Sequence, residues 1–417
     1  APASLFPATA LGSAPTGPGR LRKVRDFVIR KDPHYYYGPG PSPVIFPDGE
    51  ILLAFRRHPA AARKHTHLET ENFVVSSRDR GKTWGTPVSV DYGGVHNVNL
   101  TLLADGSVLY CTAVMEPVTR AAYERVRALP QERVPGGAGR YRLSYSAEEL
   151  GNYAVISGVS VRRSLDRGRT WSPRYWVSPI VGVPSLLPGA PSPANLRSSV
   201  IQLRSGRLVL PVYSYPNPWR AALMESPDMG KSWSFVGEIA GPSDPLDLPP
   251  GGLVDGAVAY NETFVQETPS GRLVAFIRIH AGATERQREN WGGDVNPAGR
   301  LVTASSDDGG RTWSAPVRHR LWGYPYWATA LPSGRILLAY GYRQEPFGVR
   351  ARLLDPECRH IDEAEELVVR DDGFMRDLGY PQGALMQDGR VLLTYYFNRK
   401  QEEGKHVYLT ASILEEA

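Results

Sequence analysis

Glu262 and Tyr380 each stand nine residues before a turn glycine, Gly271 for the first and Gly389 for the second. Equal spacing from equivalent turns puts two side chains at one level of a repeated structure. A tyrosine beside a carboxylate can pass its proton across as its oxygen attacks, which is the arrangement of an activated nucleophile. Arg278 follows Gly271 by seven residues. A strand that turns at Ser270-Gly271 therefore brings Arg278 back to the level of Glu262.

The same ruler applies elsewhere. Six turn glycines recur: Gly49, Gly106, Gly206, Gly271, Gly334 and Gly389. Counting nine residues back gives Gly40, Asn97, Arg197, Glu262, Pro325 and Tyr380. Side chains alternate along a strand, so Ser42, Asn99, Ser199, Phe264, Trp327 and Gln382 share the next position on that face. Counting seven forward gives Arg56, Ala113, Tyr213, Arg278, Gly341 and Tyr396. The level thus carries three arginines, a glutamate, tyrosines and two asparagines. His96 lies one residue off this register, and a histidine there is a candidate acid or base. Tyr35-Tyr36-Tyr37 and Tyr324-Pro325-Tyr326-Trp327 are aromatic clusters close by, and aromatic faces serve sugars as well as cores.

These residues need six equivalent hairpins to position them. Each turn glycine sits in Asp-Gly or Ser-Gly between alternating apolar runs, as in PVIFPDGEILLAF and ALMQDGRVLLTYY. Asp-Gly in that setting is a strong hairpin signal because glycine accepts positive φ without steric cost. The glycine spacings are 57, 100, 65, 63 and 55 residues. Four lie near the length of a four-stranded sheet with its loops. The long one holds an insertion, about Glu116–Tyr153, with helical character around Ala121–Leu129. Six such sheets predict an all-β fold, a six-bladed β-propeller in one domain over 21–417. Residues 21–31 are expected to add the outer strand of the last blade and close the ring.

A second repeat agrees. Ser77-Arg-Asp-Arg-Gly-Lys-Thr-Trp84 recurs at Ser164–Trp171, Ser226–Trp233 and Ser306–Trp313. Aspartate can accept bonds from its own turn, glycine supplies positive φ, and tryptophan packs back on the sheet. This eight-residue pattern resembles the Asp box, or BNR repeat, of the sialidase superfamily, whose fold is a six-bladed propeller. The resemblance covers about Pro39 to Leu414. Asp boxes lie at the periphery of the blades, so they speak for fold and leave chemistry to the site.

The resemblance implies a retaining glycosidase with a tyrosine nucleophile in the last blade, the noted exception among glycosidases. Tyr380 matches the nucleophile, Glu262 its base, and Arg278 the second of three arginines that grip the substrate carboxylate. Arg343 and Arg350 are both candidates for the third; Arg350 is preferred because it begins a strand as the family's residue does. Two features depart from the family. Pro39 stands where an arginine belongs, and Arg197, Arg56 or Arg57 could supply that charge. The family's acid/base is an aspartate in blade one before the first Asp box, and the matching stretch Arg63–Glu71 holds no aspartate, so Glu69 is the expected acid/base, with Glu71, His58, His65 and His67 as alternatives. The site residues expected to touch substrate are Arg278, Arg350, Arg343, Arg197, Arg56, His96, Asn97 and Trp327.

Composition narrows the classes. The chain has 417 residues, 41% hydrophobic and 22% charged, with a formal charge of +5. The positive charge is scattered, without the basic, aromatic-interleaved stretch of a nucleic-acid binder. No apolar run approaches the roughly 18 residues of a membrane span. Cys111 and Cys358 make neither a disulfide framework nor a zinc pair. No phosphate loop, nucleotide fingerprint or metal cage occurs, so no cofactor is expected. Ala1–Arg20, rich in Pro, Gly and Ala, reads as a flexible lead without the order of a signal peptide; secreted and cytoplasmic locations both stay open. The leading expectation is an exo-acting hydrolase of a terminal anionic sugar. A uronate-directed glycosidase or lyase, with His96 or Tyr380 abstracting the proton α to the carboxylate, and a non-catalytic glycan binder are the alternatives.

Overall fold

The computed structural model describes residues 19–60, 69–92, 95–119, 121, 133–134, 137–138, 153–177, 194–214, 219–248, 258–280, 299–399 and 406–417. Of these, 95–96, 115–118, 133–134, 137–138, 153–157 and 280 are described by backbone alone. The N-terminal lead to residue 18, most of the insertion with its expected helix, and His65 and His67 lie outside the described residues.

Six antiparallel sheets form an all-β, six-bladed propeller. Blade four shows the plan, with Ala259–Glu267 innermost, then Leu273–His280, Arg300–Ser306 and Val317–Trp322 outermost. The second strand of a blade is the near-continuous apolar run, as in Leu208–Ser214 and Val391–Phe397, which are buried along their whole length. The inner strands of blades one and two, four and five, and five and six pack on one another, and Gly379–Leu385 of blade six packs on Ser42–Ile45 of blade one. Closure is also by chain ends. Leu21–Arg30 pairs antiparallel with Tyr408–Glu416 and becomes the outer strand of blade six. Large side chains such as Phe55, Phe276 and Tyr340 are fully buried between blades, each contributing about 1.5–3 kcal/mol of burial.

The Asp boxes link third and fourth strands. In blade two Gly168 N–H donates to Ser164 Oγ at 2.8 Å, Thr170 N–H to Asp166 Oδ1 at 2.8 Å, and Trp171 Nε1–H to the Gly168 carbonyl at 3.2 Å. The same bonds recur in blade four through Ser306, Asp308, Thr312 and Trp313. The serine and aspartate side chains thus accept backbone N–H groups of their own turn, which is why the sequence of these eight residues specifies the turn.

Along the axis the predicted same-face residues meet. Gln382 Nε2 donates to Asn99 Oδ1 at 2.6 Å, and Ser42 Oγ donates to Gln382 Oε1 at 3.3 Å, joining blades six, two and one.

At one mouth the inner strands break register at a common level. Asn97 is an extra residue between the pairs His96–Ala113 and Val98–Thr112. Asn261 and Glu262 oppose the single residue Arg278, and Tyr380 and Pro381 oppose Tyr395. Arg197 falls between the short strands Ala194–Asn195 and Ile201–Gln202. Such bulges bend a strand and re-aim its side chains.

Candidate active site

Because Arg278 lies across the bulge from Glu262, their side chains meet. Arg278 Nη1 reaches Glu262 Oε2 at 2.5 Å. Tyr380 arrives from blade six and donates its hydroxyl to the other carboxylate oxygen, Oε1, also at 2.5 Å. Arg278 Nη1 lies 3.3 Å from the Tyr380 oxygen as well. A carboxylate, a guanidinium and a phenol separated by up to 118 residues thus close into one triangle.

Further arginines surround Tyr380. The guanidinium carbons of Arg343 and Arg197 sit 4.9 and 5.1 Å from its ring centroid. Arg343 is held by the Leu378 carbonyl and the Tyr396 hydroxyl, both at 3.1 Å. Arg197 donates to the Pro381 carbonyl at 2.7 Å. Arg278 and Arg343 also flank the Tyr324 ring, at 4.3 and 5.3 Å.

Burial divides the cluster. Arg56 and Arg197 are fully enclosed, at 0% and 1% exposure. The side chains of Arg278 and Arg343 keep 18% and 10%. Tyr380 and Glu262 form the floor at 3% and 4%. Arg278 and Arg343 are thus the more exposed members of the cluster, and the phenol and carboxylate are more deeply buried.

The electrostatics follow. Burial would push Glu262 up, but Arg278, the Tyr380 hydroxyl and Arg197 overcome it and hold the carboxyl below its ordinary value. Burial and the Glu262 charge raise Tyr380, against the pull of Arg278 and Arg343. The resting proton therefore sits on the phenol and points at its acceptor. Burial lowers Arg197 to about 10 and also lowers Arg56, while Arg278 and Arg343 are raised by their anionic and phenolic neighbours despite burial. All four remain cationic at neutral pH.

Other expected residues lie as follows. Arg56 takes one of the positions considered for the missing charge, packed against Gly38, where a Cβ would come within 2.0 Å of its Nε. Arg57 lies over the rings of Tyr35 and Phe73 at 4.0 and 4.5 Å. Asn97 ties blade two to blade three, donating to the Leu196 carbonyl at 2.6 Å. His96 is placed by its backbone alone. Glu69 is exposed, two residues before Glu71, which pairs with Arg57 at the mouth end of blade one. His58 is buried and stacks on Tyr36 at 4.9 Å.

Two expected members lie apart from the cluster. Arg350 turns to its own blade's outer strand: it donates to the Arg370 carbonyl, stacks on Tyr342 at 4.5 Å and pairs with Glu366 at 3.6 Å. The reason is strand phase, since Arg350 lies on the third strand whereas Arg343 follows the mouth end of the second. Trp327 is 5% exposed and packs between blades five and six, against Gly383.

Sequence reasoning did not single out Asp377, which accepts hydroxyl bonds from Tyr36 at 2.6 Å and Tyr396 at 2.5 Å. Its place three residues before Tyr380 was the available signal. Among the described residues no group of three or more His, Cys, Asp or Glu could hold a metal, and no helix is long and apolar enough to cross a membrane.

A family model for the BNR repeat-like domain matches residues 135–354. The chain is similar to a crystal structure of a protein of unknown function from Dyadobacter fermentans, with 30% identity and TM-score 0.77, over 95% of this chain and 99% of that one. It is similar in fold to the Hadza microbial sialidase Hz136, with 16% identity and TM-score 0.57, over 94% and 68% of the two chains. It is likewise similar to the intramolecular trans-sialidase from Ruminococcus gnavus, with 15% identity and TM-score 0.53, over 94% and 96%. No curated protein matches. With more than half the chain matched by the family model and a full-length relative at 30% identity, the chain belongs to the BNR repeat-like family of sialidase-like six-bladed propellers.

Proposed function

We propose that the protein is an exo-acting glycoside hydrolase that removes a terminal anionic sugar with retention, through a tyrosyl-glycoside. The observation that carries this reading is the triangle of Tyr380, Glu262 and Arg278 at hydrogen-bond distance. The resemblance to sialidases in fold makes a sialoside the first substrate to try.

Arg278 and Arg343, the guanidiniums with residual exposure, bind the sugar carboxylate. The bound sugar sets its anomeric carbon over the Tyr380 oxygen. As the leaving group departs, the phenol proton passes to Glu262, and the tyrosyl oxygen forms the bond to the anomeric carbon. Glu69 on blade one supplies the proton to the leaving oxygen and later takes one from the water that releases the sugar. Charge developing on the phenol oxygen meets Arg278 already in place, and preorganised groups of this kind stabilise a transition state without reorganisation.

The test is product analysis on a panel of sialosides and uronate-terminated glycans, with wild type and Tyr380→Phe. Release of a saturated terminal sugar by wild type, lost in Tyr380→Phe while the ligand still binds, is expected. A product with a new ultraviolet-absorbing double bond would transfer the site to a lyase. Binding without any product would make it a glycan-binding module. Turnover undiminished in Tyr380→Phe would remove the nucleophile.

A further inference from the structure

Asp377 holds together side chains from three blades. Its Oδ2 accepts the Tyr36 hydroxyl from blade one at 2.6 Å, and its Oδ1 accepts the Tyr396 hydroxyl from blade six at 2.5 Å. Arg343, from blade five, lies 3.9 Å from Oδ1 and shares the same Tyr396 hydroxyl at 3.1 Å. The segment carrying Asp377 is itself fixed. Asn398 Nδ2 donates to the Asp377 carbonyl at 2.9 Å, and Asn398 Oδ1 accepts the N–H groups of Phe374 and Met375 at 2.9 and 3.0 Å.

Both oxygens of this carboxylate accept phenol hydroxyls, an arrangement that suits a counter-charge and ill suits a proton donor. Burial and the Asp377 charge both raise Tyr36 and Tyr396, so each phenol keeps the proton it donates. Arg343 is the guanidinium that stands over the Tyr380 ring while keeping access to ligand. An arginine with one carbonyl, one phenol and one carboxylate behind it has its planar fork oriented before substrate arrives, and little rotamer freedom is left to lose on binding.

Resting on the reading of the site as an anionic-sugar hydrolase, we propose that Asp377 is a positioning residue that, through Tyr396 and with Tyr36 as its second anchor, sets Arg343 for the substrate carboxylate. It acts through Arg343 and touches no reacting atom.

The sign of one measurement separates this from a plain charge effect. Removing a negative group from a site that binds anions should, by Coulomb's law alone, tighten anion binding. Removing the group that orients the binding arginine should loosen it. The experiment is steady-state kinetics of the full chain on the 4-methylumbelliferyl glycosides of N-acetylneuraminic acid and of glucuronic acid. The variants are Asp377→Asn, Arg343→Lys and the double variant, with Tyr36→Phe as the milder variant should Asp377→Asn fail to fold. The expected result for Asp377→Asn is a KM raised about ten-fold with kcat within about three-fold, and a double variant clearly less than additive, as for residues that share one network. Tyr36→Phe should raise KM in the same direction by less. An unchanged or lowered KM, or full additivity with Arg343→Lys, overturns the assignment and leaves the hydrolase reading standing. Turnover of neither glycoside by wild type overturns both.

Discussion

Asn97 and Tyr380, on blades two and six, share one unusual backbone conformation, with φ of 46° and 52°, and both lie nine residues before the turn glycine of their blade. Each is the residue at which an inner strand slips register. For a non-glycine residue this left-handed region costs free energy and persists where surrounding structure enforces it. Asparagine tolerates it better than most residues, and here its side chain also bonds the Leu196 carbonyl. Asn97→Ala is expected to lower stability by about 1–3 kcal/mol, combining the left-handed penalty with a lost buried hydrogen bond. Urea denaturation checks this; an unchanged midpoint would show that the bulge carries no such constraint.

The neighbouring Gly379 makes a related prediction. Its φ is 89°, and a Cβ there would stand 2.9 Å from the Gly341 Cα. Gly379→Ala should destabilise by about 1–2 kcal/mol from backbone conformation alone, and should also reduce turnover by shifting Tyr380 against Glu262. Parallel melts and rates test it. Stability lost with full activity kept would separate the strand from the site.

The arginines should divide by location. Arg278→Lys and Arg343→Lys are each expected to raise KM about ten-fold or more, the value of a charged hydrogen bond of about 1.5–3 kcal/mol. Arg350→Lys should leave KM unchanged and lower the melting temperature, because Arg350 is bound to the Arg370 carbonyl and Glu366. A KM effect at Arg350 equal to that at Arg343 would contradict this division.

Glu262→Gln removes the proton acceptor while keeping shape, and kcat is expected to fall about 10²–10⁴-fold. Since Arg278 and Tyr380 hold Glu262 below its ordinary value, wild type should keep the base form down to about pH 4, where a free glutamate is already half protonated. A rate profile of wild type against Glu262→Gln measures this. An acid limb near neutrality that vanished in the variant would show that Glu262 titrates high.

Acid stability follows from the Asp boxes. The Thr83 and Thr170 hydroxyls and N–H groups lower Asp79 and Asp166 to about 2. In the unfolded chain an aspartate titrates near about 3.9, so below that the unfolded state takes up protons first. The stabilisation from these bonds is present in full above about pH 4 and is lost as pH falls toward about 2. Thermal melts over that range should show the decline, and Asp166→Asn should flatten it. A melting temperature constant down to the lower limit would oppose the argument.

Much of this protein is written along its chain. Six turn glycines and four Asp boxes determine six hairpins, because each depends on local residues that satisfy their own backbone groups. The nine-residue count determines that Gly40, Asn97, Arg197, Glu262, Pro325 and Tyr380 share a level, since distance along a strand is fixed by its rise. Arg278 joins Glu262 for the same reason, across one hairpin. What the chain does not contain is the lateral packing of one blade on another. That packing turned Arg343 toward Tyr380 and Arg350 away, enclosed Arg56 and Arg197 while leaving Arg278 and Arg343 partly exposed, and buried Trp327. It also brought Asp377 between Tyr36 and Tyr396. Level along the axis is a one-dimensional quantity that spacing encodes; facing and burial depend on neighbours hundreds of residues away, and only the closed ring decides them.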